Sequence, residues 1–153
     1  MSGTYYIKVT QEAIPIVKQC LDQYMEKDKV DGWNSKATDS SIYLDYAYLD
    51  DDAFCFDYRG AGNTSTTIIL YRLFNAIRHE LNKSGHDFIE FGNYAVGDYP
   101  KEEWEESLEN GYEYTIAKGS KVEGYEGEFY RQEAQQVEAN KEIVEKTWEL
   151  MQP

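Results

Sequence analysis

YLDYAYLDDDAFCFDYRG, residues 43–60, sets six aromatic rings and five aspartates in one otherwise apolar stretch. Ile42, Leu44, Tyr46 and Tyr48 alternate along one segment and Phe54, Phe56 and Tyr58 along the next, the period of two that marks half-buried strands. Setting both apolar rows on one face of a hairpin requires paired residue numbers to sum to an even value. That register puts Tyr48 opposite Asp52 and leaves 49–51 as a three-residue turn. Asp45, Cys55 and Asp57 then share the other face. The remaining acids, Asp50, Asp51 and Asp52, crowd the tip, where adjacent carboxylates repel, and they are candidate partner contacts.

Working outward from the hairpin, TYYIKVT (4–10) predicts a strand. IPIVKQCLDQYMEK (14–27) predicts a helix with Val17, Leu21 and Tyr24 on one face and Pro15 in its first turn, where a missing N–H costs nothing. Residues 28–41 hold turn formers and no period, which predicts a loop carrying Trp33. After the hairpin, a glycine turn and a Thr/Ser run suited to N-capping lead into a helix. On it Leu70, Leu73, Phe74, Ile77 and Leu81 form an apolar stripe, with Arg72, Arg78, His79 and Lys83 gathered away from it as the chain's one basic face.

Beyond Gly85, 86–94 predicts a strand, 100–110 a short helix opened by Pro100, and 111–119 another strand. From about Glu128 a long C-terminal helix is predicted, with Tyr130, Val137, Val144 and Met151 recurring every seven residues beside Trp148. The expected fold is a single α+β domain over 1–153, with about five strands in an antiparallel or mixed sheet and three to four helices.

Composition narrows function. The chain has 153 residues, 41% hydrophobic and 15% aromatic, and 29 Asp and Glu against 15 Lys and Arg give a net charge of −14. Such a field repels nucleic-acid phosphates and anionic membranes and attracts basic protein surfaces. No apolar run reaches the roughly 20 residues of a membrane span, and MSGTYYIKVT has no signal-peptide pattern, so a cytoplasmic location is expected. Cys20 and Cys55 are too few and too far apart for a zinc, redox or disulfide framework.

Enzyme motifs fail on spacing. HELNKSGH (79–86) opens like H-E-x-x-H, but Lys83 occupies the position of the second ligand. RGAGNTST (59–66) offers a helix start and Arg59 to a phosphate, yet lacks the G-x-x-x-x-G-K-[ST] pattern. No catalytic set, cofactor or metal is expected. A small nucleotide-binding or hydrolytic enzyme would have to use Arg59, Arg72, Arg78 and His79.

Charge placement says more. Glu138, Glu142, Glu145 and Glu149 project within about 60° of one another on the last helix. Glu102, Glu105, Glu106 and Glu109 share one side of the shorter helix, opposite Trp104 and Leu108. Glu142 and Lys146 stand in the i,i+4 order that also suits a plain solvated face. A folded chain of this length spans very roughly 40 Å. Duplex DNA of that length carries about 23 phosphates, a density that one acidic face could approach. In composition alone the chain resembles the small acidic, aromatic-rich inhibitors that phages make against restriction, CRISPR or other host machinery. The expectation is a non-enzymatic inhibitor that covers a basic, possibly nucleic-acid-binding, site on a partner protein. A toxin-neutralising immunity protein would use the same acids, and the basic helix face offers a second copy of the chain a complementary surface.

Overall fold

The computed structural model describes residues 2–38, 42, 44–59, 64–110 and 124–153. The strand expected at 111–119 and the glycine turn at 60–63 lie outside these. The fold is α+β, with a seven-stranded sheet in the order β2-β3-β4-β5-β1-β6-β7 and every neighbouring pair antiparallel. The strands are β1 Ser2–Lys8, β2 Glu26–Lys29, β3 Gly32–Asn34, β4 Leu44–Asp50, β5 Ala53–Arg59, β6 Glu90–Asn93 and β7 Gly97–Asp98. The helices are α1 Ile14–Tyr24, α2 Thr64–Lys83, α3 Lys101–Asn110, α4 Gly124–Ala139 and α5 Lys141–Met151.

Helix α2 is the hub. Leu70, Leu73, Phe74, Ile77 and Leu81 are fully buried, and α1, α3, α4 and α5 all pack against α2. Gly85, at φ 77, ends it: His86 N–H reaches back to Leu81 C=O and Gly85 N–H to Asn82 C=O. This left-handed glycine cap stops the helix before His86, so His79 and His86 do not share a helical face. The C-terminal helical run extends from Gly124 to Met151 with one interruption, at Asn140 (φ −100, ψ 5). Its hydrogen-bond ladder continues across the break through Asn140 N–H to Gln136 C=O and Val144 N–H to Asn140 C=O.

Three strands of the described sheet, β2, β3 and β7, go beyond those the sequence predicts. The segment expected to be a loop holding Trp33 forms the β2–β3 hairpin, with Trp33 fully buried and its Nε1–H donating to Asp22 at 2.7 Å. Strand β2, EKDK, is exposed throughout and so shows no apolar alternation.

The central hairpin also differs from its expected register. Tyr48 pairs with Cys55 and Asp50 with Ala53, so the turn is two residues, Asp51 and Asp52, not three. Asp51 takes φ 58, a left-handed conformation that aspartate tolerates. A register shift between Leu44 and Tyr46 switches the faces of β4. Leu44, Ala47 and Leu49 join the helix-covered core, while Tyr46 and Tyr48 lie on the opposite face with Cys55 and Asp57. Packing accounts for the switch. Ala47 sits between Trp33 and Phe56 in one cross-strand row, and both neighbours are fully buried. Two large rings around a methyl group fill the layer, and a tyrosine at 47 would not fit.

Candidate functional site

Arg72, Arg78 and Lys83 of α2 are bound within the chain. Arg78 is only 8% exposed. Its Nε and Nη2 donate to the two oxygens of Asp87 at 2.9 and 3.1 Å, and Nη2 also reaches Glu105 at 3.2 Å. Nη1 lies 3.6 Å from Glu109, and the guanidinium sits 5.0 Å from the centre of the Trp104 ring. Burial pushes the Asp87 carboxyl upward, but the bonds from Arg78 and from Phe88 N–H outweigh it, and its pKa ends below the ordinary value. Arg72 donates to Glu145 at 2.8 Å, and Lys83 holds Glu80 at 2.8 Å. His79 is exposed.

The two acidic ridges therefore divide. Glu105 and Glu109 turn toward Arg78, Glu145 toward Arg72, and Glu142 toward Lys146 at 2.9 Å. Glu102, Glu106, Glu138 and Glu149 are exposed and make no ion pair among the described residues. Asp50, Asp51 and Asp52 are exposed at the hairpin tip. These seven acids offer negative charge at the surface.

The sequence pattern does not reveal the second acidic surface, which is the sheet face turned away from the helices. Cross-strand pairing arranges it in rows. One row runs Tyr48, Cys55, Tyr6, Gly92, Asp98, another Tyr46, Asp57, Thr4, and a third Asp50, Ala53, Lys8, Glu90. Tyr6 stacks under Tyr94 with ring centres 4.7 Å apart, and Tyr46 stacks beside Tyr48 at 6.3 Å. Two glycines make room for the rings: a side chain at Gly92 would collide with Tyr6, and one at Gly32 with Tyr46. Polar tips are satisfied at the margin, where Tyr46 Oη donates to Asp28 at 3.1 Å and Thr4 Oγ1 to Asp57 at 2.8 Å.

This layer is uncharged at its centre. Burial raises the Cys55 thiol above its ordinary value, opposed in part by its contact with the Tyr94 hydroxyl at 3.6 Å. Tyr48 is pushed up to about 12, chiefly by burial and then by Cys55 and the carboxylates of Asp57 and Asp50. Tyr94 is likewise raised to about 12, first by its bond with Cys55. The acids stand around these rings. Lys8 pairs with Glu90 and Arg59 with Asp45, while Asp50 and Asp98 have no cation partner among the described residues.

Elsewhere the surface offers less. A cleft of about 390 Å³ between α1, α2 and α5 is lined by Tyr24, Arg72, His79 and Trp148, with the Tyr24 and Trp148 rings stacked at 5.6 Å. Its arginine is already held by Glu145. Arg72 and His79 line this cleft together but Arg59 and Arg78 do not, and the three arginines bind separate carboxylates: Asp45 on β4, Glu145 on α5, and Asp87 with Glu105 and Glu109 around Arg78. Cys20 is buried in the helix-side core, where burial lifts its thiol to about 11. Among the described residues no three His, Cys, Asp or Glu side chains gather to hold a metal, and no helix is long and apolar enough to cross a membrane. No family model, curated protein or solved structure matches this chain.

Proposed function

We propose that the chain is a non-enzymatic binding protein that seats on a basic surface of another protein and blocks it. Inhibitors of this kind serve phages and mobile elements against nucleic-acid-processing or defence proteins, whose functional sites are basic. One observation carries the proposal. At least eight of the 15 Lys and Arg side chains are paired with carboxylates of the same chain, among them the two arginines of α2. With 29 acids, the surplus charge is left to the surface, at Glu102, Glu106, Glu138, Glu149 and the tip Asp50–Asp52. Complementary charge of this sort raises association rates and excludes acidic competitors more than it adds raw affinity.

The test is capture from bacterial lysate on the immobilised chain, with elution by salt. Basic proteins should be retained at about 50 mM salt and released near 500 mM, where screening shortens electrostatic reach to a few ångströms. Retention of nothing, or retention indifferent to salt, overturns the proposal.

A further inference from the structure

Given a basic partner, the sheet face turned away from the helices points to how that partner is met: Tyr6, Cys55 and Ala53 are buried at its centre, Tyr46 and Tyr48 are half-buried, and Tyr94, Asp50 and Asp98 are exposed around them. Resting on that reading, we infer that the partner is engaged through arginine side chains of an extended segment, laid across the tyrosine rows of β4, β5, β1 and β6. The helix ridges are then a secondary, non-specific field.

Three features of the face fit that occupant. Its rings are tyrosines whose π-faces attract cations, and guanidinium, planar and weakly hydrated, stacks on them better than ammonium does. Tyr94 is 59% exposed, with one ring face on Tyr6 and the other turned outward. Carboxylates suited to accept the guanidinium N–H groups stand within the same rows, at Asp50, Asp57 and Asp98. The third feature is spacing. Tyr46, Tyr48 and Asp50 recur at every second residue of β4, about 6.8 Å apart, the repeat of alternate side chains in an extended peptide.

The sheet edges favour face docking over strand addition. Strand β2 is fully exposed, carries two lysines and has a register shift, and β7 is two residues long. Both are the short or charged edges that discourage pairing with a further strand. A tyrosine-bearing sheet would also suit stacked bases, but a net charge of −14 opposes a phosphate backbone.

The experiment is calorimetric titration of the full chain with hexa-arginine, hexa-lysine and a decathymidine oligonucleotide at low salt. Hexa-arginine should bind several-fold more tightly than hexa-lysine, and the oligonucleotide should not bind. Each ring removed should cost hexa-arginine roughly 2- to 5-fold. Tyr94→Leu removes an exposed ring; because it also uncovers the buried Tyr6 and takes the Tyr94 hydroxyl from Cys55, its folding is checked by thermal unfolding beside the titration. Tyr46→Leu with Tyr94→Leu should cost roughly 5- to 30-fold and bring the two peptides level. Asp50→Asn with Asp57→Asn, which keeps every ring, should also weaken hexa-arginine binding. If the peptides bind equally, or the tyrosine variants bind like the parent while Glu102, Glu106, Glu138 and Glu149 changed to glutamine weaken binding, the sheet-face inference falls and the basic-partner reading stands. If neither peptide binds, both fall. Oligonucleotide binding that needs the tyrosines overturns the inference in favour of a base-stacking platform.

Discussion

The acids of the helices and the acids of the sheet have the same chemistry and opposite circumstances. On α3, α4 and α5 half of the eight ridge glutamates face a cation of the chain itself, and the deepest contact, Arg78 with Asp87, Glu105 and Glu109, ties α2 to α3 and to the start of the β6 connection. On the sheet face turned away from the helices the acids surround tyrosines; Lys8 and Arg59 are each taken by one carboxylate, and Lys29 stands beside Gly32 at the end of the Tyr48 row. A carboxylate opposite a buried guanidinium holds the fold together. Asp50 and Asp98, beside the rings and without a cation among the described residues, have no such task and remain available to another molecule.

That contrast is most easily broken at Arg78. Arg78→Ala removes a buried cation from three carboxylates and from the Trp104 ring. Because those carboxylates are partly exposed, the loss should fall at the lower end of the range for a broken buried pair, about 3 kcal/mol by urea unfolding. A loss below about 1 kcal/mol would mean that α3 is held by Trp104 and Leu108 alone. Asp87→Asn should cost less, about 1–2 kcal/mol, since Glu105 remains. It also carries a pH signature. The Asp87 pKa is lowered in the folded chain, so its contribution is complete above the unfolded value near 4 and is lost as pH falls through the folded value. Melting temperature followed downward from pH 6 should therefore drop less steeply below about pH 4 in the asparagine variant. An acid limb as steep as the parent's would remove Asp87 from the clamp.

Glu145→Gln tests a weaker tie. Glu145 is about half exposed, so after allowance for solvent screening its bond with Arg72 should contribute no more than about 1 kcal/mol and should fade with added salt. The smallest effect is expected at the tip. Changing Asp50, Asp51 and Asp52 together to asparagine keeps side-chain size and the left-handed tolerance needed at Asp51, and it removes mutual repulsion. Stability should stay equal or rise. A marked loss would mean that the tip carboxylates hold a cation.

The elements legible in the sequence are those with one clean apolar face. The stripe of α2 has the helical period and is buried as expected, and β1, α1 and α3 follow the same logic. Strand β2 is hidden because an exposed edge strand has no apolar face to alternate. The face switch in β4 is hidden for another reason. Leu44, Tyr46 and Tyr48 alternate correctly, and only the bulk of Trp33 and Phe56 beside Ala47 decides which row turns inward. The charge clamp escapes notice because Arg78 and Glu105 lie 27 residues apart, and on their separate helices each resembles an ordinary solvated charge. The tyrosine face is lost with the register, since a three-residue turn would send Tyr46 and Tyr48 into the core.

The most direct measurement is backbone amide shift mapping of the isotope-labelled chain titrated with hexa-arginine at low salt. If a basic partner meets the sheet, the largest shifts should fall on β4, β5 and β6 around Tyr48, Cys55 and Tyr94, while amides near Arg78 and Asp87 stay still. Shifts concentrated on α3 and α5, or the absence of any shift, would contradict it.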